Sequence, residues 1–288
     1  MMKIFERGAN IFQRIFRKIY LRIWKKLNSK AGNVHLSMDQ ATLKKIPFHN
    51  SKVWLRPTKS DVGRVSEFSS NIYFKKSYLH EMLKKKNPTV LIDIGGNIGL
   101  SSLSLINEFT SIKKVISIEA EEQNFGVLNA NFDLWKEAHP DIEWIAVHGV
   151  ATHSEDAKMV KEKSLNDLTG ANSASGTFRY STSVEESSSV QNFHNSISIN
   201  SLIESLEKSA NVIVKIDIEG GEEHLFKSNI DWLKRCIFLT AEVHDMFHPV
   251  MLNSSTNMIK AIVDNDFAFA PAHDVIHCYN RKILAVEN

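Results

Sequence analysis

"VLIDIGGNIGLSSLSL", residues 90–105, is an apolar run with one acid near its tip, a glycine bend behind it and a helical pattern after the bend. A buried strand followed by a glycine turn and a helix opens a nucleotide-binding α/β unit. The pattern continues downstream. Residues 89–94 read as a strand, 98–109 as a helix, 115–119 as a strand, 122–137 as a helix and 142–150 as the next strand. After a Ser-, Asn- and Thr-rich stretch at about 154–200, alternation resumes with a strand at 212–218, a helix at 222–233, a strand at 237–243 and a helix at 251–264. Residues 267–286 read as a closing pair of strands. Such alternation predicts an α/β fold, a parallel sheet with helices on both faces.

The glycine spacing decides which nucleotide. Counted from Gly95, a dinucleotide fingerprint needs glycines at 97 and 100, where the sequence has Asn97 and Leu100. A Gly-Lys-Ser/Thr phosphate loop is absent too. A phosphate on the helix N-terminus would also meet the like charge of Asp93 at the strand tip. A cationic ligand reverses that objection. S-adenosylmethionine carries a sulfonium and an amino group, so the acid becomes useful, and Gly95, Gly96 and Gly99 are expected to clear space for its methionine portion. The second strand ends at Glu119, whose carboxylate can accept both ribose hydroxyls. Asn97 and Asn124 are further candidates to hydrogen-bond this donor.

A second constellation lies in "VKIDIEGGEEH", where Lys215, Asp217 and Glu219 alternate and so face one side of a strand. In "AEVHD", Glu242 and His244 share a side one strand over. Charges at a strand end are costly to bury unless paired or used, and ligands in such sheets sit outside the carboxyl ends of the strands. His244 is the first candidate for a general base because its ordinary pKa lies near neutrality. Glu219 or Asp217 is the alternative, while Lys215 pairs with Asp217 or Glu242. Asp217, Glu242 and His244 could also hold a divalent ion with substrate hydroxyls. No ligand spacing demands that, and the metal-free reading is preferred.

These motifs resemble the FkbM-type S-adenosylmethionine-dependent methyltransferases. The resemblance is carried by "LIDIGGNIG", "ISIEAEEQNFGVLNANF", "VIVKIDIEGGEEHLF" and "LTAEVHD" in order, with "LRPTKSD" upstream, and covers roughly residues 50–245. It implies a class I methyltransferase (Rossmann-like) fold with a seven-stranded, mostly parallel sheet. It also implies methyl transfer, usually to a hydroxyl oxygen and often on a sugar or polyketide. Gly96 and Gly221 stand where the family usually has Ala, and Ala120 where Pro is common.

The rest of the chain bounds this reading. At 288 residues, 43% hydrophobic and 24% charged, it is ordinary globular material. Two cysteines, Cys236 and Cys278, make no disulfide framework and fit a reducing, cytoplasmic compartment. No stretch of eighteen apolar residues without a charge marks a membrane span. The net charge of +2 hides an asymmetry: residues 1–30 hold nine Lys or Arg and one acid, and the remainder is mildly acidic. An acidic main domain gives no support to a nucleic-acid partner.

Three segments follow. Residues 1–30 read as a basic amphipathic helix, with Ile11, Ile15, Ile19, Ile23 and Leu27 in one row and Phe12, Phe16, Tyr20 and Trp24 beside it. Such a helix suits an anionic membrane surface, a partner subunit or the chain's own domain. Residues 31–88 are a lead-in or cap segment, and 89–288 the methyltransferase domain with the insertion at about 154–200. The expected function is O-methyl transfer to a hydroxyl of a carbohydrate-like acceptor, a glycan or glycolipid. The rivals are a non-catalytic, membrane-docked scaffold that keeps the fold, and methylation of a non-sugar small molecule.

Overall fold

The computed structural model describes residues 43–69, 77–157, 159–164, 178–182, 195–245, 252–272 and 275–285. The expected basic helix at 1–30 and most of the Ser-rich stretch lie outside the described residues. A hairpin, β1 (Lys44–Phe48) and β2 (Ser51–Leu55), leads through helices α1 (Lys59–Ser69) and α2 (Tyr78–Lys85) into the sheet. There follow β3 (Val90–Ile94), α3 (Leu100–Glu108), β4 (Lys114–Glu119), α4 (Glu122–Ala138) and β5 (Glu143–His148). Short strands β6 (Val150–Thr152), β7 (Met159–Ser164), β8 (Phe178–Thr182) and β9 (Ser196–Ser198) stand apart, followed by α5 (Ile199–Glu204). The second half runs β10 (Val212–Ile216), α6 (Glu222–Leu225), β11 (Cys236–Glu242), α7 (Thr256–Asp264), β12 (Phe267–Ala272), β13 (Val275–Asn280) and α8 (Arg281–Leu284).

One seven-stranded sheet has the order β12-β13-β11-β10-β3-β4-β5. Its five strands from β11 to β5 are parallel, and β13 and β12 close one edge antiparallel. This is the seven-stranded, mostly parallel architecture that the resemblance implies. The chain runs outward from β3 to β5 and restarts at β10 on the other side of β3, which makes the β3/β10 boundary the topological switch point. Alternate residues of the central strands feed two cores. Leu91, Val115, Ile213 and Phe238 pack with the hairpin, α1, α3 and α4 on one face. Ile92, Val214, Leu239 and Ile262 pack with α5, α7 and Trp232 on the other.

Several boundaries differ from the sequence reading, each for a local reason. The strand at 142–150 stops at His148, because Gly149 passes so close to Asn195 that an added Cβ would lie 2.6 Å from its carbonyl oxygen. β6 then leaves the sheet to pair with β9. The helix at 222–233 is one turn, followed by Asn229 at φ 53° and a 3-10 turn at Asp231–Arg235. The strand at 212–218 ends at Ile216, since Glu219 (φ 52°) and Gly220 (φ 89°) turn the chain. Trp135 and Trp144 are core residues, as their type favours.

The lead-in hairpin is fastened to the sheet by α4. Fully buried Asn131 accepts from Trp54 N–H at 2.6 Å and donates to Trp54 O at 2.9 Å and Ile98 O at 2.8 Å. Trp135 Nε1 adds a bond to Lys52 O at 2.7 Å. Replacing Asn131 by Ala strands three buried backbone groups, each costing about 1–3 kcal/mol when unsatisfied. Asn131→Ala is therefore expected to lower the urea-unfolding free energy by about 3 kcal/mol or more at an unchanged m-value. A loss below about 1 kcal/mol would refute the fastening role.

Candidate active site

The glycine turn sits where β3 ends. Gly95 (φ 77°), Asn97 (φ 52°) and Gly99 (φ 90°) all lie in the left-handed region. The Gly95 and Gly96 N–H groups both donate to Ile118 O, at 2.9 and 3.0 Å. A Cβ on Gly95 would lie 1.8 Å from Asp217 O, and one on Gly96 1.8 Å from Ser117 Oγ. A Cβ on Gly99 would press on Trp135 and Leu128. The glycines thus make room for neighbouring strands and α4. Their backbone still lines a cleft, together with Asn97, Ile98, Leu100, Ser101, Lys215, Asp217, Arg64 and Phe68.

Asp93 also differs from its expected role. It is completely buried, accepts from Ser101 Oγ and Ser102 Oγ at 2.6 Å each, and lies 3.2 Å from Lys215 Nζ. Register explains the pairing, since Lys215 is its direct neighbour on β10. With no surface to offer, Asp93 fixes the start of α3 and the position of Lys215, while a ligand's cation is left to other groups.

Glu119 ends β4 beside the turn. Its Oε2 accepts from Asn97 N–H and its Oε1 from Glu121 N–H, both at 2.8 Å. Burial raises its pKa, and these donors offset only part of that. Asn124 hydrogen-bonds Glu119 as well, and its Oδ1 accepts from Arg56 Nη2 at 2.7 Å. Arg56 in turn grips buried Asp61 through Nη2–Oδ1 at 2.8 Å and Nε–Oδ2 at 3.1 Å. The upstream "LRPTKSD" is therefore wired to Glu119 through Asn124, a connection no spacing in the sequence displays.

The charged cluster assembles from three elements. Lys215 Nζ donates to Gly95 O at 2.7 Å and lies 3.6 Å from Asp217 Oδ2. Although burial alone lowers its pKa, Asp93 and Asp217 win and raise it. His244 is 1% exposed, with Nδ1 3.0 Å from Glu222 Oε1. Its Nε2 faces Asp217 at 3.6 Å, Glu219 at 3.5 Å and Glu242 at 3.9 Å. Burial opposes charging His244, but hydrogen bonds to Asp217 and Glu222 and the surrounding carboxylates push it up to about 11. These neighbours favour the imidazolium form of His244, which makes it a poorer proton acceptor than the near-neutral base expected from the sequence. Burial first, and then the charge of Asp217, push Glu219 up to about 7 and Glu242 up to about 8. Asp217 stays ionised, because Lys215, His244 and Arg64 outweigh its burial.

Donor atoms of Asp217, Glu242 and His244 lie within 4.8 Å of one another, close enough to share a cation. Of the other histidines downstream, His277 on β13 bonds Thr240 Oγ1 at 3.0 Å, and His248 and His273 lie outside the described residues. Sequence reasoning missed Glu222 and Arg64. Glu222 looked like a helix-surface acid, and nothing near Arg64 marks it as more than an exposed helical cation.

The methyltransferase FkbM domain family matches residues 93–267. No curated protein matches the chain. Among solved structures, the methyltransferase FkbM from Methylobacillus flagellatus KT is 16% identical at a TM-score of 0.42, covering 67% of this chain and 44% of that one. The chain thus spans less than half the length of that protein. The Bacillus cereus O-methyltransferase in complex with SAH is 10% identical at a TM-score of 0.40, covering 76% and 88%. The M. jannaschii TYW2 in complex with AdoMet is 12% identical at 0.33, covering 85% and 86%. Among the described residues no helix is long and apolar enough to cross a membrane.

The charge state of His244 can be read directly. Glu222→Gln removes the carboxylate on Nδ1, and losing one close opposite charge moves a pKa by about 1–3 pH units. The His244 titration midpoint, followed by NMR of labelled histidine, is expected to fall by that amount; an unchanged midpoint would show that Glu222 does not hold the proton.

Proposed function

Because the chain belongs to the methyltransferase FkbM domain family, we propose that it methylates a hydroxyl oxygen of a carbohydrate-like acceptor, with S-adenosylmethionine as donor. The observation that carries this reading is a cleft lined by the glycine-turn backbone, Lys215 and Asp217, to which Glu119 is joined through the Asn97 N–H and to which Glu219, Glu242 and His244 are joined around Asp217. That cleft lies outside the carboxyl ends of the strands, at the switch point. The donor supplies a methyl carbon activated by its sulfonium.

Glu119 spends one acceptor site per oxygen on backbone N–H groups and a third on Asn124, which leaves one for a ribose hydroxyl. Arg56 and Asn124 keep that carboxylate aimed. Asp217, held ionised, gives the cleft the negative charge that a sulfonium and an ammonium need. An attacking hydroxyl must lose a proton as it bonds, so a positioned acceptor with a pKa near the working pH serves best. Glu242 and Glu219 meet that condition in this environment, and His244 does not. We assign proton acceptance to one of the two, with the imidazolium and Lys215 balancing the remaining charge. The acceptor class rests on the resemblance and on the Ser-, Asn- and Thr-rich stretch at about 154–200. The basic residues 1–30 suit recruitment to an anionic membrane surface where glycolipid acceptors would lie.

A second reading adds a divalent ion on Asp217, Glu242 and His244, favoured by their clustered donor atoms. Such an ion would have to displace the proton of His244. Chelation by EDTA separates the two: transfer persists under the first reading and is lost under the second.

Calorimetry with S-adenosylhomocysteine, the demethylated product, tests the donor. Wild type is expected to bind, and Glu119→Ala to bind at least about tenfold more weakly, the worth of a charge-assisted hydrogen bond or two. A folded wild type that does not bind would favour the scaffold reading. The proton acceptor works only as a carboxylate, so kcat/KM is expected to rise with pH through the raised values of about 7 and 8. Replacing the true base, as Glu242→Gln or Glu219→Gln, should cost about 10²–10⁴-fold and remove that limb. A flat profile in the wild type would sink the assignment.

A further inference from the structure

Arg64 helps to keep Asp217 ionised and lines the cleft, but the proposed reaction gives it no ligand. It projects from α1, upstream of the residues the family matches, with its side chain 22% exposed. Its closest ionic partner is Glu67 at 3.2 Å on the same helix. Asp217 and Glu219 stand 3.9 and 3.8 Å away, near enough to attract the guanidinium and too far to hydrogen-bond it. A guanidinium carries five N–H donors in a planar fork.

The cleft around it is bipolar. Arg64, Phe68, Asn97, Ile98, Leu100 and Ser101 line it together. Leu100 and Ser101 begin α3, whose first turn is tied through Ser101 and Ser102 to Asp93, a buried carboxylate whose charge Lys215 balances. Asp217 supplies the opposite charge beside them. Lys215 is already committed to Gly95 O, Asp93 and Asp217. A ligand head bearing both a carboxylate and an ammonium fits this arrangement, and the amino-acid head of the donor is such a group.

We propose that Arg64 binds the methionyl carboxylate of S-adenosylmethionine, at the N-terminal end of α3. The inference rests on the donor reading given above and deepens it. Arg is suited to the task because its fork can meet a carboxylate with two parallel bonds. The lead-in helix then belongs to the donor site, and Arg64 is a specificity residue that recognises the intact amino acid.

The test compares two ligands that differ only by that carboxylate: S-adenosylhomocysteine and its decarboxylated form, S-adenosyl-3-thiopropylamine. Calorimetry is run on wild type, Arg64→Gln and Arg64→Lys, with circular dichroism checking that each variant is folded. Arg64→Gln is expected to weaken the carboxylate-bearing ligand about 10–100-fold, the size of a charge-assisted contact, and the decarboxylated one by less than about threefold. Arg64→Lys should fall between, having charge without the fork. Equal weakening of both ligands, or none, would overturn the role of Arg64 and leave the donor reading standing. Failure of the wild type to bind either ligand would instead overturn the donor reading, and this inference with it.

Discussion

A buried ion pair, Asp93 with Lys215, lies near the carboxyl ends of two neighbouring parallel strands. Two charges removed from water are costly unless geometry and extra hydrogen bonds compensate. Here Ser101 and Ser102 complete the carboxylate, and the Gly95 carbonyl completes the ammonium. The compensation comes from two further segments, the start of α3 and the glycine turn, so the pair can form only when β3, the glycine turn, α3 and β10 are all in place. The turn then brings Gly95 against the Asp217 backbone, which leaves no room for any side chain there. The shape of the ligand cleft follows from these contacts.

From Lys215 the charges propagate outward. Asp217 is kept ionised by Lys215, His244 and Arg64, and its charge in turn raises Glu219 and Glu242. Glu222, buried beneath, supports the imidazolium. Asp217, Glu219, Glu242 and His244 are groups whose protonation states depend on one another.

The central fold was legible in sequence because β3 and β10 are buried on both faces and so read as continuous apolar runs. Asp93, Lys215, Asp217, Glu242 and His244 stood out because charge at the end of such a run is unusual. What the sequence hid were relations between distant segments. Asp93 looks the same whether it meets a ligand or, as here, a lysine and two serines. His244 reads as a near-neutral base until four carboxylates are found around it. Arg64 and Glu222 carry no local mark, since their meaning lies in partners 153 and 22 positions away. Helix ends failed where single residues such as Asn229 adopt left-handed backbone, which composition records weakly.

The pairing of β6 with β9 clamps the two ends of the chain between Thr152 and Ser196 side by side, in register from Val150↔Ser196 to Thr152↔Ser198. Closing a loop costs free energy that grows only with the logarithm of its length. Segments inserted between such clamped ends can therefore lengthen, shorten or be exchanged with little effect on the sheet. The arrangement makes this stretch a cassette that can change without disturbing the sheet to which its ends are clamped.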